Sequence, residues 1–279
     1  MGTIIGAFVN RRRFVHIGRR VGIVLGLVVG TILLGGINAD AAPISPTFDT
    51  FGTLPGATFG GTGIPNNAVA ITRITSGGYN ITLGLTAHGR FFNPPLTNDG
   101  AGTFFATPGS NFGNPSPPPI PSTILGATWN FAFYVRLDIT SQPANFELLY
   151  DFDPGYFTDE TDHGRIVGNI PLLPGTTLQD SYNNMFAFLS TSFTGPSFSI
   201  FPPPGTFNPN ANGSYTFALR AYDLSGNLLG QSAIRVNVGD VVIPEPATFV
   251  TFGLAAAGGL LVRRLRRKAP LHQVAATTT

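Results

Sequence analysis

Trp129-Asn130-Phe131-Ala132-Phe133-Tyr134-Val135-Arg136-Leu137-Asp138-Ile139 is apolar at every odd position, while its even positions mix polar, charged and smaller residues. Successive side chains of a strand point to opposite faces, so a period of two predicts a half-buried β-strand. The alternation recurs at Tyr79, Ile81, Leu83 and Leu85, and again at Phe146, Leu148, Tyr150 and Phe152. Near the end of the body it returns at Tyr215, Phe217, Leu219 and Ala221, then at Ile234, Val236 and Val238. Residues 223–227 (Asp-Leu-Ser-Gly-Asn) separate those last two runs and have turn composition. Residues 180–189 are ambiguous, and no stretch of the body reads as a long amphipathic helix. Short strands between turn clusters predict an all-β fold, an antiparallel β-sandwich.

Two proline-rich stretches, 108–121 and 196–209, interrupt the body. The first, with Pro117-Pro118-Pro119, is extended in either of two readings. As a surface loop it leaves 42–242 as one domain; as a linker it splits 43–107 from 122–242. The closing run Tyr215-x-Phe217-x-Leu219-x-Ala221, followed by Asp223-x-Ser225-Gly226, resembles the last strands of bacterial immunoglobulin-like or cadherin-like modules. That resemblance implies an immunoglobulin-like or jelly-roll-like sandwich.

The two ends of the chain differ from the body. Arg11, Arg12, Arg13, Arg19 and Arg20 precede an uncharged apolar run at 21–37, then Ala39-Asp40-Ala41. A basic region, an apolar region and small residues two apart are the parts of a secretory signal peptide, so 1–41 reads as a leader cleaved after Ala41. An uncleaved anchor is the alternative. At the other end, Pro244-Glu245-Pro246 cannot lie inside a helix, although Pro246 can open one at its first turn. Residues 247–262 carry no charge and span about 24 Å as a helix, short against about 30 Å of hydrocarbon. Arg263, Arg264, Arg266, Arg267 and Lys268 follow directly, and their long side chains can reach back to the headgroups. The cationic cluster predicts a cytoplasmic end, with 269–279 as a cytoplasmic tail and the body outside. The alternative is a buried core helix with a basic tail.

This proline-glutamate-proline, apolar helix and arginine cluster resembles the PEP-CTERM sorting signal, here over 243–268. The resemblance implies processing by exosortase, a membrane protease-transpeptidase, and a link to exopolysaccharide. Family members usually stop at the arginines, whereas this chain continues for eleven residues.

Removing the two ends changes the charge. Of 16 basic residues ten lie in the end signals, and of 14 acidic residues only Asp40 and Glu245 do, so the body is about −6 and has no lysine. A basic patch on the domain is what nucleic-acid binding needs, so that class is excluded despite the basic pI. The chain has no cysteine, which removes thiol catalysis and thiolate metal sites, and a body of this size can fold without disulfides.

Candidate chemistry is sparse. Asp151, Asp153, Asp159 and Asp162 form the densest acidic stretch, and carboxylates in a loop suit calcium. Their spacing follows an EF-hand loop at the first, third, ninth and twelfth positions, but Tyr156 stands where the glycine is required. A looser calcium site and a solvated acidic turn both remain open, with Glu147, Asp151 and Asp153 on the outward face of their strand. His88 and His163 read as lone surface histidines. Tyr134 and Tyr222 fall on polar strand faces, where aromatic platforms could bind sugars. No Gly-x-Ser-x-Gly, phosphate-loop or His-Glu-x-x-His motif is present, so no enzyme is expected. The sequence therefore predicts an exported precursor held at the inner membrane, processed by signal peptidase and exosortase. It is destined for the outer envelope, cell surface or extracellular matrix, in a structural or adhesive role. A carbohydrate- or calcium-binding module is the alternative.

Overall fold

The computed structural model describes residues 42–111 and 125–241. The leader with Ala39 and Ala41, and residues 112–121 of the first proline-rich stretch, lie outside the described residues. So do Pro244, Glu245, Pro246, Arg263, Arg264, Arg266 and Arg267, the 247–262 segment and the 269–279 tail. Among the described residues no helix is long and apolar enough to cross a membrane.

The first strands are β1 (Thr50–Gly52), β2 (Val69–Ile74), β3 (Ile81–Gly89), β4 (Thr97–Asn98) and β5 (Thr103–Ala106). After them come β6 (Ser110–Asn111), β7 (Gly126–Ala127), β8 (Trp129–Leu137), β9 (Asn145–Tyr150) and β10 (Gly164–Gly168). The last are β11 (Thr177–Tyr182), β12 (Phe193–Thr194), β13 (Phe198–Phe201), β14 (Gly213–Tyr222) and β15 (Leu228–Val238). Two short 3-10 turns, Glu160–Asp162 and Ala187–Ser190, are the only helical segments among the described residues. The ambiguous stretch at 180–189 is thus divided between the end of β11 and the second of these turns.

Two main sheets form an all-β, sandwich-like body. The smaller has the order β1-β2-β3-β8-β11, the larger β12-β13-β10-β9-β14-β15-β5-β4, and β6 pairs with β7 alone. Strands from both sides of the first proline-rich stretch share each sheet, since β3 pairs with β8 and β5 with β15. Pairing is antiparallel throughout except between β5 and β15, which run parallel. The final hairpin closes through Asp223, whose carboxylate accepts hydrogen bonds from the Ser225 and Asn227 amides.

The alternating residues meet between the sheets. Trp129, Phe131, Phe133, Val135 and Leu137 of β8 share one apolar core with the inward residues of β3, β9, β14 and β15. The run ends one step early, because a turn closes after β8, with Ser141 N–H donating to the Asp138 carbonyl, and Ile139 is left 75% exposed. At one end of the sandwich the core is aromatic. Trp129 meets Tyr215 at 5.7 Å and Phe217 edge-on at 6.0 Å, and Phe131 stacks on Phe217 at 4.4 Å.

The outer faces are covered as well. Tyr134 and Ala132, on the supposed polar side of β8, pack with Leu54, Phe59, Val69 and Ile71 in a second cluster, and Tyr134 is only 4% exposed. The loop supplying Leu54 and Phe59 is pinned by Gln179, whose Oε1 accepts hydrogen bonds from the Thr58 and Phe59 amides. On the larger sheet, Leu149 packs with Ile44, Ala218 and Ala233 in a third cluster. The acidic loop after β9 crosses β14 at Gly213, where a Cβ would sit 2.5 Å from the Pro154 carbonyl oxygen, so only glycine admits that crossing.

Candidate functional site

The two sheets are not matched in width. β2 and β3 lie over β15, and β3 also over β14, so β8 continues toward β9. Beyond β9 the larger sheet has three more strands, β10, β13 and β12, while beyond β8 the smaller has only β11. The inner faces of the surplus strands therefore lack a full partner layer. An apolar cleft of about 830 Å³ opens there.

Its floor is made by Val135, Leu148, Leu219 and Ile200, all buried. Its mouth carries Leu178, Ile170, Phe193 and Phe198, which are large, apolar and exposed, the two phenylalanines by 46% and 43%. Those two rings lie 5.2 Å apart. Phe188 and Tyr182 meet edge-on at 5.1 Å along one wall, and Phe133 approaches Tyr182 at 5.4 Å. Among the described residues, no arginine, lysine or histidine lines the cleft, and Asp180 is the sole acidic one. Asp180 Oδ1 accepts a hydrogen bond from the Ser181 amide. Burial, aided by the neighbouring Asp180 charge, pushes the Tyr182 phenol up from its ordinary pKa. A concave, aromatic-rich volume with very few polar groups is the usual form of a small-ligand site.

Asp151, Asp153, Asp159 and Asp162, read as candidate calcium ligands, all lie between β9 and β10. Asp151 is fully buried at the end of β9, against the expectation of an outward charge. It accepts hydrogen bonds from the Asp153 amide at 2.8 Å and the Thr216 amide at 3.2 Å. Asp153 accepts from the Gly155 amide within its own turn. Among the described residues, no group of three or more His, Asp or Glu side chains is placed to hold a metal ion. The loop is instead tied down by its neighbours. Glu160 receives both terminal nitrogens of Arg220 at 2.7 and 2.6 Å, and the Arg220 Nε donates to Gln231. Glu147, also buried, accepts from the Tyr222 hydroxyl at 2.9 Å, which binds that tyrosine into the network.

His163 is likewise buried, not a surface residue. Its Nδ1 lies 3.0 Å from the Asp159 carbonyl, which can only accept, so Nδ1 carries the proton. Nε2 then accepts from the Thr216 hydroxyl at 2.7 Å and stands 3.7 Å from Asp151 Oδ2. Burial lowers the His163 pKa, against the opposing pull of the Asp159 carbonyl. Burial also pushes Asp151 up to about 7, with its amide donors opposing. The pair is therefore neutral histidine beside a carboxyl that titrates near neutrality, not a charged bridge. Asp151, Thr216 and His163 do not form a nucleophilic triad, because the imidazole must lie between hydroxyl and carboxylate, and here the hydroxyl does.

His88, expected at the surface, is buried too. Its Nδ1 donates to the Gly89 carbonyl at 2.9 Å, and its Nε2 meets the Ser181 hydroxyl at 2.8 Å. Burial lowers its pKa. The Ser181 oxygen also accepts from Asn130, and Asn130 in turn accepts from Asn183 at 2.7 Å. Asn183 then binds the Ala127 amide and the carbonyls of Ala127 and Trp129, fixing the start of β8. A backbone carbonyl stands behind His88 where the base of a Ser-His-Asp triad has a carboxylate.

None of this cleft was legible beforehand, since its walls come from seven separate strands. A weak signal for the covered outer face did exist. Leu149 and Ala132 are apolar residues at outward positions of otherwise alternating strands. Compared with protein-family models, curated proteins and solved structures, the chain matches none.

Proposed function

We propose that this chain is a non-enzymatic protein exported to the cell envelope or extracellular matrix, where its β body has a structural or adhesive role. The observation that carries the reading is the order of parts in the sequence. A basic-apolar leader ending at Ala41 precedes the body, and Pro244-Glu245-Pro246, an uncharged segment and an arginine cluster follow it. Signal peptidase and exosortase are the processing partners, and exopolysaccharide is the proposed matrix. The body suits that role. It is all-β, free of cysteine, and its buried histidines are spent on internal hydrogen bonds.

We further read the sandwich as immunoglobulin-like or jelly-roll-like, on the strength of a buried Trp129 at the start of β8 packed against β14. The carbohydrate alternative draws no support from Tyr134, which is covered.

The test is the intact mass and location of the protein recovered from producing cells. The expected product lacks residues 1–41 and has been cut within 243–268. A full-length, doubly tagged chain found wholly soluble in the cytosol would defeat the proposal.

A further inference from the structure

We propose that a polar hollow on the outer face of the smaller sheet, between Arg73 and Arg136, binds a carboxylate-bearing sugar, one hexuronate unit of an acidic saccharide. Strand register builds it. Arg73 of β2 stands opposite Thr82 of β3, and Thr82 stands opposite Arg136 of β8, so the two arginines flank a threonine in one row. Two strand spacings put their Cα atoms about 10 Å apart, within reach of two guanidinium arms closing on one anion. On one side of the row, Leu54 and Pro55 form a wall at the margin of the loop that covers the rest of this face. On the other side lie Asn80 and Asp138, joined by the Asp138 amide donating to the Asn80 carbonyl. The space enclosed is about 330 Å³, at the small end of ligand sites and suited to one ring.

Charge argues for an anion. Arg165 and Arg220 pair with carboxylates, and Arg235 lies over the Tyr156 ring. Among the described residues the guanidinium groups of Arg73 and Arg136 make no hydrogen bond and no ion pair, although acidic residues outnumber basic ones on the body. The nearby Asp49 carboxylate takes the Arg73 backbone amide at 2.7 Å, not its side chain. Two exposed forks left open in one hollow suit a planar carboxylate. The remaining groups argue for a sugar. Asp138 Oδ1 accepts from the Thr140 amide and hydroxyl at 3.2 and 3.1 Å, which leaves Oδ2 as an acceptor for a ring hydroxyl. Arg136 acts on that carboxylate without pairing with it, and its charge opposes a phosphate dianion more than a carboxylate. The Asn80 side-chain amide and the Thr82 hydroxyl are likewise without partners, and exposed Pro55 offers apolar surface to the C–H face of a ring. A bare anion would leave these groups unused, and a neutral sugar would leave both guanidinium groups unanswered. The inference rests on the matrix reading for its setting, yet binding by the purified chain and processing in cells are separate measurements, and either can fail alone.

The test is calorimetric titration of the full chain, carried in phosphatidylcholine nanodiscs, with trigalacturonate, maltotriose and inorganic sulfate. The expected result is one saturable site for trigalacturonate, with the neutral trimer and the bare anion each at least about tenfold weaker. Arg73→Gln and Arg136→Gln should each weaken trigalacturonate at least about tenfold. Both side chains are exposed, so the unfolding midpoints of these variants should stay near that of the parent. Arg165→Gln removes a half-exposed cation from the larger sheet and should change trigalacturonate binding less than about twofold. Absence of binding, or binding unchanged in Arg73→Gln and Arg136→Gln, would overturn the proposal. Equal affinity for maltotriose would remove the carboxylate from it, and equal affinity for sulfate would remove the sugar. A loss in Arg165→Gln matching that of the other two would show attraction to overall charge in place of a site.

Discussion

Two parts of β8 face different interiors. Trp129 and Phe131 sit in a filled aromatic cluster, whereas Phe133 and Val135, a few residues along the same strand, border an open cleft. Local sequence does not distinguish them, for the alternation is uniform from one end to the other. What differs is the layer opposite. Trp129 and Phe131 meet the rings of β14 directly, while Phe133 and Val135 look toward the strands by which the larger sheet outruns the smaller. Hydrophobic pattern alone says only which face is inward.

The closed end is also sealed from behind. Thr216, between Tyr215 and Phe217 on β14, turns outward to the Asp151–His163 pair beneath the loop that follows β9. If the contrast is sound, truncation should cost most at the closed end. Phe217→Ala removes a ring packed against both Trp129 and Phe131 and should destabilise the body by about 3–5 kcal/mol in urea unfolding. A value near that of a surface residue would show the end to be loosely packed.

The seal behind it should reveal itself through pH. Asp151, at about 7 in the folded protein against roughly 3.9 when unfolded, binds an extra proton in the folded state between those values. Its contribution is therefore full at low pH and lost as pH rises toward 7. His163, lowered by burial, is the opposite case: below about 6.5 the unfolded chain binds the extra proton, and stability is lost as pH falls. In the intact protein the two slopes oppose each other across mildly acid pH. His163→Gln leaves the Asp151 slope alone, and stability should then fall with rising pH by up to about 1.4 kcal/mol per unit. Asp151→Asn should give a rise with pH up to about 6.5. Three parallel profiles would mean that the pair is not coupled to folding.

The smallest effect is expected at the mouth. Phe198→Ser exposes no new core and should change stability by less than about 1 kcal/mol, measured by the same unfolding curves. A cost matching Phe217→Ala would erase the distinction between the two ends.

The sequence read most clearly where large apolar residues alternate with small or polar ones, whatever covers the latter. β3, β9, β14 and β15 were legible for that reason, and so was the hairpin around Asp223. β13 was not, because its four residues lie within a proline-rich stretch and supply too little periodicity. β11 was obscured because, as an edge strand, it carries Thr177, Gln179 and Ser181 opposite Leu178 and Tyr182. Tyr134, Asp151 and His163 were misplaced for a shared reason. Their covers are loops distant in sequence or of irregular shape, and an alternating pattern carries no record of what lies above its polar face. The cleft is a property of topology, legible only once strands are counted across both layers.

The short hairpin of β12 and β13 hangs from β10 as a detachable eave. Trimming or extending that eave would rescale the chamber below it without disturbing the aromatic keystone at the opposite gable. Capacity and robustness thereby become separately adjustable, and a lineage could refit one while leaving the other alone.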